Sequence, residues 1–124
     1  MKQLPEDFDA QMFVGLTVVQ ISVNANQLLF HFDSEVLLVV EYAVHLTTVA
    51  SARVAVPPPP LRIEVPEFDP RILALIEQRC TAAEALRDCT LIIRFQTGDV
   101  LEVLADIPMY ESYRIYHEGR ELIV

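Results

Sequence analysis

Residues Thr90 to Val124 read TLIIRFQTGDVLEVLADIPMYESYRIYHEGRELIV. In Leu91, Ile93 and Phe95 apolar side chains recur at every second position, with Arg94 between them. Successive side chains of a strand point to opposite faces, so this spacing predicts a strand with one buried and one wet face. Gln96-Thr97-Gly98-Asp99 follows, and Gly98 can take the positive φ that a tight hairpin requires. Val100 to Leu104 returns, with Leu101 and Val103 on one face and Glu102 on the other. Asp106-Ile107-Pro108 interrupts the ladder, because Pro108 has no amide hydrogen to donate. Ser112 to His117 reads as a strand again. Glu118-Gly119 turns the chain, and Arg120-Glu121 leads into a short apolar strand, Leu122-Ile123-Val124.

The N-terminal half carries a weaker copy of this pattern. Pro5-Glu6-Asp7-Phe8-Asp9 opens one half and Pro66-Glu67-Phe68-Asp69 the other. Asp69 is a good helix N-cap and Pro70 a good first helical residue, so Pro70 to Glu77 is expected to be helical, with a shorter counterpart after Asp9. Leu16 to Val23 aligns with Cys80 to Leu86. Thr81-Ala82-Ala83-Glu84-Ala85 has helix propensity of its own, but its partner VVQISV is rich in β-branched residues, so both are read as strands. Gln27 to Phe32 aligns with Thr90 to Phe95, and Val36 to Val40 with Val100 to Leu104. The turn Asp33-Ser34-Glu35 is then one residue shorter than Gln96 to Asp99, and Leu38 falls at the position of Glu102. An offset held at about 60 to 64 residues, with the same order of patterns, indicates one unit used twice. Further strands are expected over Glu41 to Thr48 and Ala52 to Val56.

The expected fold is therefore α+β and mainly antiparallel β. It has two related meander units with short helices, arranged as a sandwich or barrel-like closure. One domain of 124 residues contains a unit at 5–56, a polyproline connector at 57–65 and a unit at 66–124. Val36 to Val40 is apolar on both faces, so it must be covered on both, by the rest of the chain or by a second subunit.

Composition narrows the function. The hydrophobic fraction is 52% and the mean hydropathy is +0.33. No apolar run approaches the ~20 residues of a membrane helix. MKQLPEDFD lacks the apolar core of a signal peptide, which points to the cytoplasm. The net charge of −9 argues against nucleic acid, whose phosphates need clustered Lys and Arg, and suits a basic protein partner. Cys80 and Cys89 flank a hairpin centred on Arg87-Asp88, Cys80 opposite Phe95 and Cys89 opposite Leu86, which places them apart and argues against a disulfide. No cofactor or metal is implied. His31, His45 and His117 lack a two-His metal spacing, and Ser22, Ser34, Ser51 and Ser112 lack the glycine flanks of a nucleophile elbow. Gly15, Gly98 and Gly119 are too far apart to cradle a phosphate.

The candidate site is the corner DIPMYESYR: Asp106, Tyr110, Glu111, Tyr113 and Arg114 gather where a strand is interrupted. Tyr and Arg dominate binding hot spots. The competing reading makes the same corner structural, with Tyr110 and Tyr113 against the core and Glu111 fastening the bend. The pattern Phe95-Gln96-Thr97-Gly98-Asp99 followed by Tyr110-Glu111-Ser112-Tyr113 resembles a class of small bacterial β-rich proteins with an F-x-D-G turn and a Y-E-x-W or Y-E-x-Y signature. Some of these sit beside toxin genes as immunity proteins. Here the turn is QTGD and Tyr113 stands at the Trp position. The resemblance implies a binding role of the immunity type; with the acidic charge, the apolar excess and the absence of catalytic motifs, the expectation is a non-catalytic protein-binding module, an immunity-type inhibitor of a basic partner. Two rival expectations are a small-ligand domain using the Tyr110–Arg114 corner and an enzyme using His31 or His117 with Glu111.

Overall fold

The computed structural model describes residues 4–5, 8–49, 59–105 and 112–124. Among them are ten strands: β1 (Val18–Val23), β2 (Leu28–Phe32), β3 (Leu37–Val40), β4 (Ala43–Thr47), β5 (Leu61–Glu64), β6 (Cys80–Ala85), β7 (Leu91–Phe95), β8 (Val100–Leu104), β9 (Tyr113–His117) and β10 (Arg120–Ile123). They form two antiparallel five-stranded sheets. Sheet 1 has the order β1-β2-β3-β9-β10, and sheet 2, read from its own first strand, β6-β7-β8-β4-β5. The protein is mainly antiparallel β, as its alternation predicts. No helix among the described residues is long and apolar enough to cross a membrane.

Both helical segments are 3-10 turns: Ala10–Phe13 and Pro70–Leu75. Each has the same N-cap. The Asp9 carboxylate accepts from the Gln11 amide and the Asp69 carboxylate from the Arg71 amide, both in extended backbone. The expected helix over Pro70 to Glu77 is thus shorter and tighter. Ile76 is extended and Glu77 takes φ 73°, which turns the chain into β6. The Arg71 guanidinium also clasps Asp69, at 2.6 Å. Together with the Arg71 amide it holds the Asp69 carboxyl at about 2, well below its ordinary value. The cap is therefore fully formed above pH ~4, where the unfolded carboxyl is ionised, and is lost as pH falls through about 2. An NMR titration should place the Asp69 midpoint near 2 and Arg71→Ala should raise it; a wild-type midpoint near 4 would remove this account of the cap.

The two sheets follow one plan. β1 and β6 each carry a register irregularity at the same place, Val18/Gln20 and Cys80/Ala82. Phe32 donates to Val36 O and Phe95 to Asp99 O, so the two hairpin turns are of equal length. This corrects the alignment made from sequence. Leu38 opposes Phe30 as Leu101 opposes Ile93, so Val39, not Leu38, occupies the position of Glu102. Asp99, buried and polar, is the structural counterpart of apolar Val36, a pairing that matching Val36 to Val100 by hydropathy misses.

The halves are also not separate meanders. Each places three strands in one sheet and its closing hairpin in the other: β4 pairs with β8, and β9 with β3. A reciprocal set of hydrogen bonds joins them where β1 and β6 begin. Gly15 donates to Cys80 O and Glu77 to Val18 O, while Val18 donates to Gln78 O and Cys80 to Leu16 O, around a Thr17–Arg79 bridge. Leu61–Glu64, read from sequence as the end of the connector, is strand β5. Leu61 and Ile63 alternate with Arg62 and Glu64 and pair along β4. The expected strand Ala52 to Val56 and Pro57–Pro58 lie outside the described residues.

The inward faces of both sheets meet in one core. Phe13, Phe30, Leu38, Ile63, Ile72, Leu91, Ile93, Leu101, Tyr113 and Ile115 are fully buried there. The second half adds a polar anchor at its turn. Buried Asp99 accepts from the Val49 amide at 2.8 Å and from Gln78 Nε2 at 3.0 Å, and Thr97 donates to Gln78 Oε1 at 2.6 Å. Gln78 and Asp99 stand where the first half has Leu16 and Val36. Every polar group in the cluster has a partner, which offsets its burial.

Candidate functional site

Tyr113 and Arg114 are adjacent in β9, so they point to opposite faces of sheet 1. Tyr113 is fully buried, and its hydroxyl donates to Cys89 O at 2.7 Å. The phenol fastens β9 to the Cys89 turn, where the backbone is left-handed at φ 73°. Burial, then the nearby Cys89 and Asp88, push its pKa far above the ordinary range. An unfolded Tyr ionises near pH 10, so this contribution is complete below that pH and fades as pH rises further. Tyr113→Phe should cost about 1–2 kcal/mol at neutral pH and flatten part of the alkaline loss of stability, read by urea unfolding at pH 7 and 11. An unchanged alkaline profile would assign the loss to other groups. Asp106, Tyr110 and Glu111 lie outside the described residues.

Arg114 faces outward. Its Nε lies 2.6 Å from Glu41 Oε1 and its Nη1 3.0 Å from Glu121 Oε1. The approach to Glu41 is an ion pair without hydrogen-bond geometry. Two carboxylates thus share one guanidinium, each less than 40% exposed at 22% and 37%.

Around this triad the outer face of sheet 1 mixes apolar and polar side chains. One row across the sheet runs Leu29, Val39, Arg114, Ile123, and the next runs His31, Leu37, Tyr116, Glu121. Val39 is already buried, at 3% exposure; Leu29, Leu37 and Tyr116 are half-buried, and Ile123 is 43% exposed. The equivalent row of sheet 2 runs Ile92, Glu102, His45, Arg62, and its neighbour Arg94, Val100, Thr47. Sheet 2 thus bears Glu102, Thr47 and Arg62 where sheet 1 bears Val39, Tyr116 and Ile123. Arg62 is held by Glu64 at 2.9 Å, Tyr42 at 3.1 Å and His45 Nε2 at 3.2 Å. A guanidinium only donates, so His45 Nε2 accepts. Arg94 pairs with Glu84 at 3.2 Å. Both outer faces carry ion pairs, and they differ at the three positions where sheet 2 has Glu102, Thr47 and Arg62.

The remaining features are smaller. Ser22 Oγ lies 2.9 Å from His31 Nε2 on the outer face of sheet 1, a contact across strands that linear spacing does not reveal. Two shallow clefts occupy equivalent places beside the closing hairpins. One of about 210 Å³ is lined by Asp9, Met12, His117 and Arg120, the other of about 300 Å³ by Thr48, Pro59, Arg62 and Arg71. Both lie at or below the small end of ligand pockets. Cys80 and Cys89 are buried free thiols, with Cys80 opposite Phe95 as the register predicts. Among the described residues no three His, Cys, Asp or Glu are grouped to hold a metal.

Comparison with curated proteins and with solved structures returned no match. A family model does match, over residues 9–124. The chain belongs to a family of unknown function, DUF6188.

Proposed function

We propose that the protein is a non-catalytic protein-binding module of the cytoplasm that docks a basic partner on the outer face of sheet 1, in the manner of an immunity-type inhibitor. The observation that carries this reading is internal. Both sheets solve the same folding problem, and sheet 2 solves it with charged residues outside. The outward-facing Tyr116 and Ile123 of sheet 1 are therefore not a requirement of the fold, whereas Val39 beside them is buried. Exposed Ile123, next to the half-buried Tyr116, Leu29 and Leu37, is apolar surface that the fold does not need, and such surface supports an interaction site. The net charge of −9 favours a basic partner and opposes self-association of like-charged copies. The repeated plan of caps, bulges and sheet order further supports descent from one duplicated unit. The rival reading, a small-ligand site at Tyr110–Arg114, loses Tyr113 to the core.

The test is a photo-crosslinking residue placed at Ile123 or, as control, at Arg62, followed by reconstitution with the captured protein in purified form. The expected result is a 1:1 complex with a protein of net positive charge, captured at position 123 and not at 62. Capture only of a second copy of this chain, or equal capture from both positions, would overturn the proposal.

A further inference from the structure

We propose that the partner delivers one positive side chain, a guanidinium or an ammonium, onto the Glu41–Arg114–Glu121 triad at the centre of its footprint. The inference rests on the docking face just described and adds the chemistry that selects among partners. Ile123 is the accessible cross-strand neighbour of Arg114, and Tyr116 is the neighbour of Glu121. A partner that covers these apolar residues must also cover the triad. Among the described residues the triad holds two carboxylates and one guanidinium, a local charge of −1. Stripping water from a cluster with excess negative charge is costly, and a partner cation is the group that offsets it.

The same count argues against the alternatives. Two copies of this chain meeting face to face would bury two triads, both of charge −1, against each other. A wholly apolar partner would leave the triad's excess negative charge dry and uncompensated. Arg114 already engages Glu41 through Nε and Glu121 through Nη1, so the incoming cation meets carboxylate oxygens on a fixed scaffold. Arg is the better fit of the two cations, since its planar fork can bridge two carboxylates.

The experiment uses the full chain and a displayed library of random disulfide-closed peptides. Selection is for wild type and against the Tyr116→Thr/Ile123→Arg variant, whose folding is verified by thermal unfolding. The expected binders combine apolar residues with at least one Arg or Lys. They should lose about tenfold in affinity on Glu121→Gln, which makes the triad neutral, and weaken as salt rises. Binders that need the face but carry no cation, or bind Glu121→Gln as well as wild type, would overturn the triad inference and leave the docking face standing. Failure to select any peptide that distinguishes wild type from the double variant would remove the docking face, and the inference with it.

Discussion

Phe13→Ala is expected to lower the unfolding free energy by about 3–5 kcal/mol, the range for emptying a fully buried aromatic site. Phe13 has no exposed surface and meets Phe32 edge to face, ring centres 5.3 Å apart at 61°. It sits in the first 3-10 helix, which also reaches the other sheet: Gln11 Nε2 donates to Ala83 O in β6 at 2.9 Å. Phe32 belongs to sheet 1 and Ala83 to sheet 2, so the lost side chain loosens both. Because the closing hairpins are exchanged, neither half holds a complete sheet of its own. The variant should therefore still unfold in one cooperative step, at lower urea and with a similar slope. The chain has no Trp, so far-UV circular dichroism and Tyr fluorescence are the two probes to overlay. Separated transitions for the two probes would mean that the halves fold independently.

The double variant Tyr116→Thr/Ile123→Arg should weaken partner binding by about 100-fold while changing stability by no more than about 1 kcal/mol. Thr and Arg are what sheet 2 bears at the equivalent positions, Thr47 and Arg62, so the backbone already tolerates them in this setting. Tyr116 and Ile123 point away from the core, and neither position leaves a cavity. What changes is the outward surface: an amphipathic ring and an apolar branch give way to a hydroxyl and a like charge facing a basic partner. Electrostatic repulsion then adds to the lost apolar area. The reverse exchange on sheet 2, Thr47→Tyr/Arg62→Ile, should leave partner binding unchanged. A calorimetric titration against the reconstituted partner reads both effects.

Much of the fold was legible because it depends on period. Leu91, Ile93 and Phe95 define β7 to the residue, and Leu101 and Val103 define the inner face of β8. The strand β6 was readable through its partner β1 and not through its own Ala-rich sequence. Three features escaped for physical reasons. Pairing between distant strands leaves no linear trace, so the exchange of β4–β5 and β9–β10 between the sheets was not visible. A proline run does not say where its extended connector stops, so Leu61–Glu64 reads as connector in sequence, and pairing with β4 makes it a strand. The turns after Phe32 and Phe95 have equal length, but Asp99 is buried in a hydrogen-bond cluster while Val36 is apolar, and that chemical difference shifted the alignment by one residue. The candidate corner was legible as chemistry and not as geometry: Tyr113 and Arg114 are neighbours in sequence, yet one closes the core and the other faces solvent. Glu41, which completes the Arg114 triad, is distant in sequence and becomes its neighbour through the β3–β9 pairing alone.

The most direct measurement is hydrogen–deuterium exchange on the full chain, free and bound to the reconstituted partner. Docking on the outer face of sheet 1 predicts added protection in β2, β3, β9 and β10, with β6 to β8 unchanged. Protection confined to sheet 2, or absent from β9 and β10, would contradict it.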